Sequence, residues 1–192
     1  METLNPETQT EPIEEQINWK RGIFDILETL ILAVILFFGI NAISARVRVD
    51  GLSMQPTLEH GEFILVNKLS YRWSAVQRGD IIVFDFPLNA DEELIKRVIG
   101  LAGDHVVVKN NQVFVNDQLL NEPYISQAPL YSGEWQVTDG YLFVLGDNRN
   151  NSNDSKDWGL LPVENIVGKA AVIYWPPPVW NILEHTEIFA AP

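Results

Sequence analysis

From Ile23 to Ala45 the chain is dominated by apolar residues, and from Leu30 to Ile40 the run is interrupted only by Gly39. A helix over this stretch spans roughly 34 Å, the thickness of a bilayer core. Asp25 and Glu28 fall near one end, where headgroups can solvate them at far lower cost than at the bilayer centre. The stretch 23–45 reads as one retained transmembrane anchor. A cleavable signal peptide, with the apolar run ending in Ala42-Ile43-Ser44, and a buried helix of a soluble protein are the rival readings. Residues 1–22 read as a disordered tail: acidic (Glu2, Glu7, Glu11, Glu14, Glu15), with Pro6 and Pro12, closed by Lys20 and Arg21. Those two cations flank the entry to the apolar stretch while Arg46 and Arg48 flank its exit, so charge counting gives no orientation.

Beyond the anchor the texture changes to short β-type runs. Phe63–Val66, Ile81–Phe84, Leu94–Ile99, Val106–Val108, Val113–Val115, Tyr141–Leu145 and Lys169–Trp175 are separated by Gly, Pro, Asn and Asp. Lys109-Asn-Asn-Gln112 reads as the turn of a hairpin. With no periodic helix after the anchor, residues 46–192 read as a mainly β, antiparallel domain carrying a short inserted β subdomain at about 105–140. A formal charge of −13 argues against a nucleic-acid surface, because phosphates would be repelled. The absence of cysteine excludes disulfides, thiolate metal sites and a cysteine nucleophile. His60, His105 and His185 lie far apart with no ligand spacing, so no metal and no cofactor is expected.

Three stretches carry chemistry. The first is Val49-Asp-Gly-Leu-Ser-Met-Gln-Pro-Thr-Leu58. Gly51, lacking a Cβ, would let another backbone approach closely, and Pro56 pushes Gln55 away from helix. That combination suits a Ser53 hydroxyl held at the lip of a groove, although an ordinary turn serine reads the same way. The second is Leu94-Ile-Lys-Arg-Val-Ile99. Alternation places Leu94, Lys96 and Val98 on one face and Ile95, Arg97 and Ile99 on the other. If the Lys96 face is buried, its ammonium loses water and its pKa falls, which makes a general base. A lysine snorkelling at a sheet edge is the bland reading, and parity does not choose between Lys96 and Arg97. The third is the polar loop Gly146-Asp-Asn-Arg-Asn-Asn-Ser-Asn-Asp-Ser-Lys-Asp-Trp-Gly159, rich in side chains that bond local backbone and order tight turns.

Together, and in this order, these stretches and Arg78-Gly-Asp-Ile-Ile-Val-Phe84 resemble the type I signal peptidases, membrane-bound serine–lysine proteases that remove signal peptides from exported proteins. The likeness runs from about Val49 to Trp175, with the anchor in the expected place. It implies the signal-peptidase-like β fold, Ser53 as nucleophile and Lys96 as general base. It implies further that Ser152 orients the lysine, that Asp154 supports the loop by pairing with a cation, and that the Ser53 N–H contributes to the oxyanion hole. By the same resemblance an extended substrate would add a strand beside Val49, Asp50 and Gly51. Val49, Met54, Leu94 and Ile95 would line shallow pockets for small side chains at the first and third positions before the cut. The implied partners are signal peptides of secretory preproteins, the lipid bilayer and the export translocase. The implied location is the cell membrane, single-pass, with the N-terminus cytoplasmic and the catalytic domain on the extracytoplasmic (or thylakoid lumenal) side.

The chain departs from the family pattern in places. Many members have serine where Gly51 stands, and arginine where Lys156 stands; a lysine cannot form a bidentate fork with a carboxylate. Some have two transmembrane segments and a larger insertion. Two other classes share features with this chain: a self-cleaving serine–lysine repressor, which would need a DNA-binding N-terminus, and a membrane-anchored β module that only binds.

Overall fold

The computed structural model describes residues 19–183 and 185–189. Helix α1 runs Trp19–Ile43, and none of its side chains is buried. At 1.5 Å per residue it is roughly 37 Å long, and among the described residues it is the one helix long and apolar enough to cross a membrane. Its start and end differ from the sequence reading. Trp19, Lys20, Arg21 and Gly22, expected in the tail, are helical, and Ser44 and Ala45, expected in the anchor, open strand β1 (Ser44–Arg48). Backbone hydrogen bonding does not stop where hydropathy changes, so helix bounds and apolar bounds differ by a few residues. The rest of the expected tail, residues 1–18, lies outside the described residues.

From Ile40 onward the chain forms two antiparallel sheets. The larger has the order β1, β2 (Phe63–Asn67), β11 (Ile166–Trp175), β3 (Ile81–Phe86), β4 (Asn89–Gly100), β9 (Tyr141–Leu145) and β10 (Leu161–Pro162). A two-residue strand, β12 (Asn181–Ile182), pairs with β11 off this path. The smaller sheet has the order β7 (Gln118–Leu119), β6 (Gln112–Val115), β5 (His105–Lys109) and β8 (Gly133–Gln136). Its β5–β6 hairpin turns through Asn110 and Asn111, both with positive φ (52° and 61°). Asparagine tolerates that region and so fits a two-residue turn matched to strand twist. Two single-turn helices, α2 (Ser70–Trp73) and α3 (Ser155–Trp158), lie between strands.

The unbroken apolar runs of β3 and β9 follow from burial on both faces. In β3, Ile81 and Val83 join one core cluster with Val49, Met54, Leu58 and Ile64, while Ile82 and Phe84 join another with Val98, Leu142 and Val144. In β9, Phe143 and Leu145 face a third cluster with Val106, Val108, Val113 and Val115. Strand β4 lies between β3 and β9, so its C-terminal half, Ile95 to Gly100, is buried throughout. Polar side chains on that half must find partners inside the protein.

Candidate active site

Ser53 sits in the turn between β1 and β2. That turn is closed by Val49 N–H donating to the Glu62 carbonyl (2.8 Å) and Gly61 N–H to the Val49 carbonyl (2.9 Å). Met54 and Leu58 anchor it in the core. Gly51 has φ +106°, and a Cβ built there would meet nothing within 4 Å. The glycine is thus required by the backbone conformation and not, as the sequence suggested, by a close neighbour. Its N–H donates to His60 Nδ1 (3.1 Å). Among the described residues the Ser53 N–H has no acceptor, which leaves it available to a substrate oxygen.

Lys96, on β4, is 2% exposed. Its Nζ donates to Ser53 Oγ (3.0 Å) and to the Ile95 carbonyl (2.9 Å). Burial brings its pKa down to about 8; the Asp154 carboxylate opposes this and the Lys156 ammonium adds to it. Val49, Asp50, Gly51, Met54, Leu94 and Ile95 line one groove with Ser53 and Lys96, of about 70 Å³.

Arg97, the next residue, is 1% exposed and answers the ambiguity that alternation left. Its Nε and Nη2 donate to the two oxygens of Asp147 (2.8 and 2.7 Å), and its Nη1 to the Gly79 carbonyl (2.9 Å). Arg97 pairs with Leu145 of β9, and the chain leaving β9 delivers Asp147 to it. Asp147 also accepts from Thr57 Oγ1 (2.5 Å), in the Ser53 turn. The same loop holds that turn through its backbone: Asn148 N–H donates to the Ser53 carbonyl and Asn148 Nδ2 to the Leu52 carbonyl, both at 3.0 Å. Gly146 has no room for a Cβ, which would run into the Ser53 carbonyl and Ser152 Oγ.

Asp154 is fully buried and acts mainly on the backbone. It accepts from Gly146 N–H (3.0 Å) and Lys156 N–H (3.2 Å), capping α3 in a capping box with Asp157. Lys156 Nζ lies 3.3 Å from Asp154 and 2.8 Å from Asp157 and also bonds the Ser152 carbonyl. Among the described residues the buried Ser152 hydroxyl has no hydrogen-bond partner, and it makes no bond to Lys96. Thr57, Asp147 and Asn148 were not singled out from sequence, and Arg97 only as a rival to Lys96. The available signal was that a buried arginine needs a carboxylate, and the dense polar loop offered one.

A family model described as signal peptidase, peptidase S26, matches residues 23–175. The chain belongs to this family. A signal peptidase I of Leptolyngbya laminosa is 40% identical over 188 residues, covering 91% of this chain and 92% of that one. A signal peptidase I of Bacillus caldolyticus is 43% identical over 143 residues, covering 67% and 78%. A crystal structure of a signal peptidase I from Enterococcus faecalis V583 aligns with 50% of this chain and 97% of its own, at 29% identity and a TM-score of 0.47. Membership of the signal peptidase family makes the chain a serine endopeptidase and sets aside a module that only binds.

Proposed function

We propose that the chain removes N-terminal signal peptides from exported preproteins through a Ser53–Lys96 dyad and an acyl-enzyme. The observation that carries this reading is the 3.0 Å contact between Lys96 Nζ and Ser53 Oγ in a site where lysine is desolvated and, among the described residues, touches no carboxylate. Neutral Lys96 accepts the Oγ proton as Oγ attacks the carbonyl before the cut. The Ser53 N–H stabilises the oxyanion. The peptide C–N bond breaks, the leaving amine takes the proton from Lys96, and the signal peptide remains as an ester. A water gives its proton to Lys96 as it attacks the ester, the acyl C–O bond breaks, and the leaving Ser53 Oγ takes that proton back from Lys96. Ser152 and Asp154 support the base from the loop, Asp154 through the cap that shapes it.

The small groove suits small side chains at the first and third positions before the cut, with Val49, Asp50 and Gly51 offering backbone to an extended substrate. Helix α1 anchors the enzyme in the membrane. The strongly exposed Trp73, Trp175 and Trp180 suit contact with its interface, and the export translocase is a natural neighbour. Signal peptides are cut after the carrier chain crosses, which puts Ser53 on the far side of the membrane and the N-terminus in the cytoplasm. Protease added to right-side-out vesicles should then digest the chain beyond Ala45; protection of that region would exclude preprotein processing.

The direct test is cleavage of a preprotein by the detergent-solubilised chain. Ser53→Ala and Lys96→Ala should each abolish it with circular dichroism unchanged. Near-normal turnover by either folded variant would overturn the dyad.

A further inference from the structure

Between β7 and β8 the chain runs from Leu120 to Ser132 outside both sheets, and it is tied into the loop that holds the Ser53 turn. Glu122 Oε1 lies 2.6 Å from Arg149 Nη2, with side-chain exposures of 8% and 0%. Arg149 is buried, and the Glu122 carboxylate beside it serves as its counter-charge. Arg149 Nε donates to the Gly146 carbonyl (3.2 Å), folding its guanidinium back under its own loop. Tyr124 lies between two buried guanidiniums, with its ring centroid 3.9 Å from Arg97 Cζ and 5.8 Å from Arg149 Cζ. Its hydroxyl donates to Glu122 (3.1 Å).

A second tie lies further along. Leu130 N–H donates to Asn150 Oδ1 (2.8 Å) and Asn150 Nδ2 to the Ala128 carbonyl (3.0 Å). Asn111, in the β5–β6 turn, donates to the Pro129 carbonyl (2.9 Å), and Asn121 N–H to the Ile188 carbonyl (2.8 Å). The segment is therefore fastened to the smaller sheet on one side and to Arg149 and Asn150 on the other. Residues 146–153 contain no regular structure. Each such residue costs about 1–2 kcal/mol of backbone entropy to hold in one conformation, so their order must come from outside contacts. Asp147 and Asn148 hold the Ser53 turn; Arg149 and Asn150, the next two residues, are held by segment 120–132.

We propose that Glu122 is a positioning residue: through Arg149 it clasps the Gly146–Ser152 loop in the geometry that the Ser53–Lys96 reaction requires, and this clasp is what the smaller sheet contributes to catalysis. The inference rests on the dyad reading given above. Glu122 touches neither Ser53 nor Lys96. Its loss therefore acts on the chemical step and leaves the groove between Val49 and Ile95 intact.

The test uses the full chain in detergent with a preprotein substrate, well below the melting temperature of each variant. Glu122→Gln keeps the shape and removes the charge. It should lower kcat by about tenfold or more with KM changed by less than about twofold. The double variant Glu122→Gln/Arg149→Gln should be no slower than Arg149→Gln alone, because both changes remove one tie. A folded Glu122→Gln enzyme with wild-type kcat, or losses that multiply in the double variant, would overturn the proposal. An unpaired buried guanidinium can unfold a protein. If Glu122→Gln does not fold, the exposed Asn150→Ala decides: a fall in kcat of about threefold at constant KM supports the clasp, and wild-type kcat overturns it. Ser53→Ala in the same assay separates the two ideas. An active Ser53→Ala enzyme removes the dyad reading itself, whereas a dead one beside unaffected clasp variants removes the clasp alone.

Discussion

Lys96 and Arg97 are neighbours on β4, both almost wholly buried, and only the arginine touches a carboxylate among the described residues. Asp147 takes up the Arg97 charge in a two-point fork. Lys96 has the Ser53 hydroxyl and one carbonyl. Burying an unpaired ammonium is costly, and the group relieves that cost by giving up its proton. Burial therefore holds the Lys96 pKa below its ordinary value, as the proposed role of general base requires.

The first consequence is a pH profile. With the Lys96 pKa lowered to about 8, cleavage should rise with pH along a single limb with its midpoint near 8, falling about tenfold per pH unit below pH 7. Lys156 lowers that pKa from its place in the loop. Lys156→Met removes the repulsion and should move the limb upward. A limb near 10, or one that does not move in the variant, would count against Lys96 as the base.

The same burial costs stability. Below pH 8 both folded and unfolded chains carry the Lys96 proton, and the folded state bears the full desolvation cost. Between about 8 and the ordinary value of 10.5 the unfolded state binds more protons, so stability rises with pH. Lys96→Met should therefore raise stability at pH 7 by about 1–3 kcal/mol while abolishing cleavage. Thermal melts at pH 7 and pH 10.5 should show this gain and then its loss.

Ser152 offers a second separation of activity from stability. Its buried hydroxyl lacks a partner among the described residues, so removing it withdraws no hydrogen bond seen in the fold. Ser152→Ala should leave the melting temperature unchanged or slightly raised. Cleavage should fall about ten- to a hundredfold if the hydroxyl orients Lys96 during reaction. Unchanged kinetics would make Ser152 a loop residue and nothing more.

Gly51 stands where many family members have serine, so Gly51→Ser would place a hydroxyl beside the proposed oxyanion site. At φ +106° a side chain is strained, and the variant should lose about 1–2 kcal/mol of stability. Chemical denaturation of the purified domain in detergent measures this. A Gly51→Ser enzyme as stable as the parent would mean that the turn relaxes to another conformation.

Much of the candidate site was legible because its parts are local. A glycine and a proline around Ser53, alternation around Lys96 and a dense Asx-rich loop are short-range patterns, and each constrains its own few residues of backbone. The reading of Gly51 shows the limit of such patterns, since space and backbone conformation both call for glycine and give the same letter. The helical Trp19 to Gly22 show another, because hydropathy marks where a helix must be apolar and not how far its hydrogen bonds run.

By itself the sequence determined an apolar helix, a run of antiparallel strands and which side chains share a face of each strand. Those follow from periodicities of a few residues, which the covalent chain imposes directly. What covers each face was decided by tertiary structure alone. Arg97 becomes structural because β4 pairs with β9 and the chain leaving β9 brings Asp147 back across fifty positions. Lys96 is desolvated beside a hydroxyl because the Ser53 turn between β1 and β2 packs over it, and among the described residues it forms no ion pair. The two residues differ in sequence by one place and in charge not at all. Their roles diverge because the energy of a buried charge depends on what the fold sets beside it.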